Sequence, residues 1–245
     1  MKFTKMHGLG NDFVVFDLPA DVDPGLVRAV CDRHFGIGAD GVLTVGAVAG
    51  TVTMGYWNAD GSPAEMCGNG LRCVARRAVD LGLAQPGKFL VDTPVGPRRV
   101  RVGEDVRVDL GAPMVGDMTR MDGWFFRTVD VGNPHAVTEV DDVDAVAVAE
   151  VGLQVQAMFS EGVNVEFVRF DGDHLEMRVF ERGVGETLAC GSGIVAAAAV
   201  ARRNGAGDEI VVEMAGGIAR VEFEGGSAWL IGPAVTVFEG VWPAQ

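Results

Sequence analysis

The sequence predicts an α+β protein of two pseudo-symmetric, duplicated domains, each a strand-rich sheet or barrel around one central helix. Three observations support this prediction. A Cys-Gly-x-Gly motif occurs twice, at residues 67–70 and 190–193, and a helical stretch follows each copy. Short runs rich in valine and aromatic residues surround both copies. Because paired domains place equivalent loops opposite each other, we expect the active site in the cleft between them.

One register relates the two halves over most of their length. Residues 58–70 correspond to residues 181–193 at an offset of 123, which is also the separation of Cys67 from Cys190. The same or nearly the same offset relates 53–57 to 176–180, 41–42 to 164–165, and 10–11 to 132–133, the last at 122. Such a period is too long for a solenoid repeat and indicates a duplicated domain.

Local patterns predict many short strands and few helices. Runs bounded by glycine, proline or aspartate predict strands at 13–16, 52–57, 89–91, 98–102, 106–110, 163–170, 175–180 and 210–213. Helical patterns occur at 24–35, 70–81 and 193–204. Gly82 and Gly205 follow the last two where a C-terminal cap glycine is expected. Residues 194–201 are apolar on all sides, which is typical of a buried central helix.

The boundary between the halves is expected near Gly111-Ala112-Pro113, after the strand-like run that ends at residue 110. The N-terminal half is then 1–112 and the C-terminal half 113–232. We expect residues 233–245, which contain a further strand-like run, to cross back to the N-terminal half.

Charge and hydropathy exclude several classes of function. With 34 acidic and 20 basic residues the net charge is −14, so the surface repels nucleic acid and anionic lipid. The longest apolar run has eight residues, and the N-terminus lacks the apolar core of a signal peptide. We therefore expect a cytoplasmic protein with no nucleic-acid or membrane partner.

Cysteine, histidine and lysine usage argues against a metal or an organic cofactor. The four cysteines and four histidines show none of the spacings of zinc sites. The three lysines lie in no motif suited to a Schiff base, so pyridoxal phosphate is not expected. Cys31 and Cys73 are interpreted as structural; the position equivalent to Cys73 is Ala196.

Two equivalent cysteines at helix starts are suited to inverting a carbon centre. A helix N-terminus offers free N–H groups and a partial positive charge, which stabilise a thiolate. Racemisation needs one group that removes a proton from one face of the carbon and another that delivers a proton to the opposite face. Cys67 and Cys190 would exchange these roles between the two directions. Backbone N–H groups expected to hold the α-carboxylate of a substrate belong to Gly68, Asn69, Gly191 and Ser192.

Signature blocks along the whole chain resemble those of one family. The blocks are residues 5–13, 58–62, 66–73, 132–135, 162–165 and 181–193. In combination they resemble the diaminopimelate epimerases. The resemblance implies a cofactor-independent isomerase that interconverts LL- and meso-diaminopimelate through a thiol/thiolate pair, for lysine and peptidoglycan precursor synthesis. It also implies domains that close over the substrate, and a homodimer.

The resemblance extends to single residues. Cys67 and Cys190 fall on the catalytic thiols of the family, and His135 and Glu181 match residues that tune the cysteines. Implied substrate contacts are Asn11, Asn58, Asn133, Asn164, Glu181 and Arg182. Arg182 can hold a distal carboxylate through its guanidinium fork. Many members carry glutamine where this chain has Gly41, so any contact that glutamine makes is lost or replaced here.

Three alternatives stay open. The first is a two-thiol racemase of proline or hydroxyproline, against which the second charged end implied by Glu181 and Arg182 argues. The second is a thiol hydrolase that uses Cys190, His135 and an asparagine, which leaves Cys67 unexplained. The third is a non-catalytic module that binds an amino acid between its lobes. Alkylation separates them, because the hydrolase needs one cysteine, the epimerase both and the module neither.

Overall fold

The computed structural model describes residues 1–18, 22–121 and 123–243. The chain divides into two compact units: unit 1 comprises Met1–Val108 with Gly232–Gln245, and unit 2 comprises Asp109–Ile231. Of the segment expected to cross back to the N-terminal half, residues 244 and 245 lie outside the described residues.

Unit 1 is a sheet whose parallel strands are joined by helices. Its first elements are β1 (Lys2–Gly8), β2 (Asn11–Phe16), α1 (Pro24–Cys31), β3 (Gly41–Val48), β4 (Thr51–Asn58), α2 (Gly68–Asp80), β5 (Gly87–Thr93), β6 (Gly96–Val102) and β7 (Val106–Asp109). Consecutive strands pair in order. The pairs β2–β3 and β4–β5 are parallel, and α1 and α2 form the crossovers that parallel strands require.

Unit 2 repeats this arrangement. Its elements are β8 (Met114–Met121), β9 (Trp124–Asp130), β10 (Pro134–Glu139), α3 (Val148–Gln156), β11 (Asn164–Asp171), β12 (His174–Glu181), β13 (Gly185–Thr187), α4 (Gly191–Arg203), β14 (Glu209–Met214), β15 (Gly217–Glu224) and β16 (Ser227–Gly232). The parallel pairs are β10–β11 and β12–β14. In unit 1, the last strand β17 (Val235–Val241) runs antiparallel to β1, as β8 does to β9 in unit 2.

Element bounds make the duplication visible. The helices α2 and α4 both have 13 residues, and each end of α4 lies 123 residues after the same end of α2. The same shift relates both ends of β3 to β11 and of β4 to β12, and a shift of 122 relates β1 to β9. The predicted α+β class and the predicted duplication are confirmed.

The central helix of each unit is the core of its sheet. Every residue of α4 from Ile194 to Ala201 is buried, which confirms the prediction of a fully apolar central helix. In unit 1, α2 packs against β1, β3 and β6. Both helices end before a glycine with positive φ, at Gly82 (+71°) and Gly205 (+106°), as predicted.

Several helix bounds differ from the predictions, and one helix was not predicted. The predicted helix 24–35 ends at Cys31, because the Asp32 carboxylate accepts hydrogen bonds from the N–H groups of His34 and Phe35 and forms a turn instead. The helices predicted to start at 70 and 193 begin two residues earlier, directly after the cysteines. Helix α3 was not predicted; Gly152 interrupts its pattern, and a Cβ there would lie 2.4 Å from Phe180.

Candidate active site

Cys67 is the N-cap residue of α2 in unit 1. Its backbone is extended (φ −140°, ψ 121°), and its half-buried sulfur accepts a hydrogen bond from the N–H of Gly70 at 3.4 Å. Gly68 and Asn69, which the sequence analysis assigned to carboxylate binding, form the first turn. The partial positive charge of the helix N-terminus therefore acts directly on this thiol.

Asn11 presents its carbonyl oxygen to Cys67. The sulfur of Cys67 lies 3.4 Å from Asn11 Oδ1, and Asn69 Nδ2 donates to the same oxygen at 3.3 Å. On the other side, Asn11 Nδ2 donates to Asp40 Oδ2 at 2.8 Å. Because a carboxylate accepts hydrogen bonds and cannot donate them, Asp40 fixes which end of the Asn11 amide faces the thiol.

A buried arginine holds Asn69, which donates to Asn11 beside Cys67. Arg72 on α2 is fully buried; its Nη2 donates to Asn69 Oδ1 at 2.9 Å and its Nε to the carbonyl of Pro233 at 3.2 Å. The remaining nitrogen, Nη1, has no hydrogen-bond partner. A Cβ on Gly8 would lie 2.8 Å from Arg72 Nη2, so a glycine is required at that point of β1.

Asn58 and Gly41 lie apart from this group of hydrogen bonds. Asn58 ends β4 and donates from Nδ2 to Ser62 Oγ at 3.1 Å, within a turn. At Gly41 a Cβ would lie 2.5 Å from the carbonyl oxygen of Trp57. A side chain at this position would therefore clash with β4 in this structure.

Cys190 is the N-cap residue of α4 in unit 2, in the position that Cys67 has in unit 1. It is buried, and its sulfur lies 3.6 Å from Ser192 Oγ. Gly191 and Ser192 form the first turn of the helix. A Cβ on Gly193 would lie 2.8 Å from Glu166 Oε1, so the helix start approaches this carboxylate closely.

A chain of hydrogen bonds leads from Glu166 towards Cys190. Glu166 Oε1 lies 2.6 Å from His135 Nδ1, and both side chains are completely buried. His135 Nε2 lies 3.1 Å from Asn133 Oδ1, and Asn133 Nδ2 donates to Ser192 Oγ at 3.3 Å. In this arrangement Asn133 turns its oxygen towards the imidazole and its amino group towards Ser192.

Carboxylates dominate the electrostatics around Cys190. Burial raises the pKa of Cys190 well above its ordinary value, and the negative charges of Glu181 and Glu166 raise it further. Hydrogen bonds from Ser192 and the N–H of Gly193 act in the opposite direction. Burial also raises the pKa of Glu181, against hydrogen bonds from Thr187 and Cys190.

Asn164 and Arg182 form a separate pair of contacts at the end of β12. Asn164 Oδ1 accepts from the backbone N–H of Arg182 at 3.0 Å, and its Nδ2 donates to the carbonyl of Pro134 at 3.0 Å. The guanidinium of Arg182 donates to the carbonyl of Glu161 at 3.2 Å. Its other nitrogens face no carboxylate within the described residues, which leaves donors for an anionic ligand group.

A cleft in unit 2 is lined in part by the hydrogen-bonded residues Asn133 and His135. It has a volume of about 370 Å³ and includes Asn133, Pro134 and His135 in its wall, together with Phe159 and Val163. Among the described residues, no cluster of three or more His, Cys, Asp or Glu side chains could hold a metal ion. No helix there is long and apolar enough to cross a bilayer.

Sequence reasoning missed Asp40, Arg72, Glu166 and Thr187. Of these, Glu166 left a readable signal, since it is the single charge within the apolar run that opens β11, and a buried charge requires a partner. Arg72 lies within the signature block 66–73, but nothing in a sequence separates a buried arginine from an exposed one on a helix.

Comparison with known proteins places the chain in a family. The sequence profile of the family described as Diaminopimelate epimerase matches residues 3–116 and 127–237. A curated relative named Diaminopimelate epimerase from Xanthomonas euvesicatoria pv. vesicatoria is 43% identical over 99% of this chain and 96% of its own length. A relative of the same name from Methanocella arvoryzae is 42% identical over 98% and 96%.

Solved structures support the fold alone, because their sequence identities are low. A putative phenazine biosynthesis PhzC/PhzF protein from Clostridium difficile has a TM-score of 0.80 at 13% identity and covers 100% of both chains. A probable proline racemase from Agrobacterium radiobacter has a TM-score of 0.74 at 15% identity over 100% and 93%. On the sequence matches, this chain is an isomerase of the epimerase class and belongs to the diaminopimelate epimerase family.

Proposed function

We propose that this chain is a cofactor-independent, two-base epimerase that interconverts LL- and meso-diaminopimelate, with Cys67 and Cys190 as its acid and base. The observation that carries the proposal is that each cysteine caps an equivalent 13-residue helix in one half of a duplicated chain. Inversion of a carbon needs two such groups, whereas hydrolysis or simple binding does not.

The reaction conserves one proton between the two thiols. One thiolate removes the α-proton, the C–H electron pair stays on the substrate as a carbanion, and the thiol of the other cysteine protonates the opposite face. The first cysteine ends as a thiol and the second as a thiolate. Because an α-carbanion is unstable, preorganised donors at the α-carboxylate must stabilise it. We assign this to the helix starts, at Gly68, Asn69, Gly191 and Ser192.

Polar side chains would recognise the substrate groups that lie away from the reacting carbon. Diaminopimelate carries a second carboxylate and a second ammonium group, and Arg182 has free donors that suit the carboxylate. Neither group exists in proline, which disfavours that substrate. We assign contacts with the polar groups to Asn11, Asn58, Asn133, Asn164, Glu181 and Arg182. His135 and Glu181 are proposed to tune the protonation of Cys190, the cysteine in their own unit.

The metabolic role follows from the proposed substrate. Meso-diaminopimelate would feed lysine and peptidoglycan precursor synthesis. The cytoplasmic location, expected from the sequence, and the homodimer, implied by the family resemblance, stay predictions.

Isotope exchange tests the proposed function. Reduced enzyme is incubated with LL-diaminopimelate in deuterated water without pyridoxal phosphate, followed by NMR and chiral chromatography. We expect solvent deuterium at one α-position as the meso isomer accumulates. Exchange with proline and none with diaminopimelate would instead support the racemase alternative. Folded protein with titratable thiols and no exchange of either substrate would contradict the two-base proposal.

A further inference from the structure

Arg72 is a buried cation with no ionic partner of its own. Among the described residues it pairs with no Asp or Glu, and its hydrogen bonds go to the neutral oxygens of Asn69 and Pro233. Burial lowers its pKa. A guanidinium buried without a counter-ion is strongly unfavourable, so its retention requires a compensating anion.

The neighbouring charges leave one candidate for that anion. Lys5 and Arg33 are already paired with Asp12 and Asp40, and Arg77 is paired with Asp17 and Glu239 at the surface. Asp105 acts on Arg72 through space but forms no ion pair with it among the described residues. Full burial raises the pKa of Cys73 to about 12, so that thiol stays neutral. Cys67 remains, and hydrogen bonds connect it to Arg72 through Asn11 and Asn69.

The equivalent position in unit 2 lacks the cation. A shift of 123 residues takes Arg72 to Val195, which is fully buried and apolar. The same shift takes Leu43 to Glu166 and Asn58 to Glu181, so unit 2 has carboxylates where unit 1 has neutral side chains. The contacts confirm the equivalence, since Gly70 approaches Leu43 as Gly193 approaches Glu166.

We propose that Arg72 is a positioning residue that makes Cys67 the first of the two thiols to lose its proton, so that the single proton of the resting pair sits on Cys190. This inference rests on the proposed function. The cation of Arg72 stabilises the Cys67 thiolate through the buried interior, and its bond to Asn69 holds the amide that donates to Asn11.

Both protonation states of Cys67 have a partner in this arrangement. The thiolate accepts from the N–H of Gly70, and the thiol, once it has taken the substrate proton, donates to Asn11 Oδ1. A substrate isomer whose α-proton faces Cys67 therefore meets enzyme already in the correct form. The opposite isomer needs the form in which the proton has moved from Cys190 to Cys67.

Thiol titration tests this without substrate. Wild-type enzyme is alkylated briefly with iodoacetamide from pH 5 to 11, and mass spectrometry gives the rate for each cysteine. We expect the midpoint for Cys67 at least about one pH unit below that for Cys190, whatever their absolute rates, since one unit is a tenfold difference in ionisation. Thiolate absorbance at 240 nm should be lost at neutral pH in C67A and kept in C190A.

Variants of Arg72 then isolate its contribution. In Arg72→Met the midpoint for Cys67 should rise by about one unit, a tenfold slower alkylation at neutral pH, with Cys190 unchanged as an internal control. Arg72→Lys, which keeps the charge, should recover part of the shift. Arg76→Met, on the same helix but bonded to the carbonyls of Gly103 and Glu104, should match wild type.

Two results would overturn the inference. One is a Cys190 midpoint at or below that of Cys67 in wild-type enzyme, which needs no variant to fold. The other is an unchanged Cys67 midpoint in folded Arg72→Met protein. Since neither assay contains diaminopimelate, failure here leaves the isotope-exchange test of the proposed function untouched.

Discussion

The helices α2 and α4 begin at equivalent residues of the two units, but the side chains around the two helix starts differ. In unit 1, Asn11 turns its carbonyl oxygen towards Asn69 and Cys67, and its amino group is held by Asp40. In unit 2, the equivalent Asn133 turns its amino group towards Ser192, and its oxygen lies 3.1 Å from His135 Nε2. The two amides therefore offer opposite hydrogen-bonding ends to the two helix starts.

This difference shows how a duplicated scaffold can separate two roles. The backbone sets where each thiol lies, because glycines allow the helix starts to approach their sheets closely. Buried charge differs between the units: the cation of Arg72 lies on the helix that Cys67 caps, whereas the carboxylates of Glu166 and Glu181 raise the pKa of Cys190. A symmetric backbone with asymmetric charges suits a reaction that needs one acid and one base at a time.

The largest expected effect comes from removing either thiol. Cys67→Ala and Cys190→Ala should each lower epimerisation by about a thousandfold or more, because each removes a general acid or base that nothing replaces. Each variant keeps one thiol, which should exchange the α-proton of one isomer in deuterated water, with retention, once it is ionised. We expect this exchange at neutral pH in Cys190→Ala and only at higher pH in Cys67→Ala, with a different isomer in each variant.

Cys31→Ala is the matched control for these variants, since Cys31 is a buried residue of α1 that belongs to neither helix start, and its removal should leave turnover near wild type. Substantial epimerisation by either single variant would end the two-base proposal. Exchange of the same isomer by both variants would remove the assignment of the thiols to opposite faces of the α-carbon.

A smaller effect is expected from neutralising the carboxylate beside Cys190. The negative charge of Glu181 raises the pKa of Cys190, so Glu181→Gln should lower that pKa. The alkylation profile of Cys190 should then move towards lower pH by about one unit and approach that of Cys67. Turnover should fall at least about tenfold, since the two thiols would compete for one role and a proposed substrate contact is lost.

Glu186→Gln provides the comparison for this change. Glu186 lies on β13, is exposed and forms an ion pair with Arg178. Because solvent screens the charge of Glu186, neutralising it should leave the alkylation profile of Cys190 unchanged. Equal shifts in both variants would mean that general surface charge, and not the buried carboxylate, controls Cys190.

Sequence signals at the helix ends explain which helices the sequence could predict. The repeated Cys-Gly-x-Gly motif and the C-terminal glycines locate α2 and α4 because helix ends are specified by the residues at the ends themselves. Helix α3 has no such signal: its N-cap, Ala147, makes no side-chain hydrogen bond, and its Gly152 serves packing against Phe180. Its formation depends on tertiary contacts that a sequence pattern does not contain.

The site was predictable in its thiols and less so in its charges. Cys67 and Cys190 repeat at an offset of 123 and Asn11 and Asn133 at 122, so a comparison of the two halves of the sequence finds them. Arg72 and Glu166 matter because they are buried, and the partners that fix their roles come from distant parts of the chain, such as Pro233 for Arg72 and His135 for Glu166. Burial of a charge is a property of the fold.

The smallest expected effect compares the glycines at the third position of the two helices. In Gly70→Ala the new Cβ would meet the flexible end of Leu43 at 3.2 Å, so the free energy of unfolding should change by less than about 0.5 kcal/mol. In Gly193→Ala it would meet Glu166 Oε1 at 2.8 Å, an oxygen already held by His135. That contact cannot yield without breaking the buried pair, which should cost about 1–3 kcal/mol. Urea unfolding of both variants measures the difference, and equal destabilisation would mean that the two helix starts are packed alike and differ only in charge.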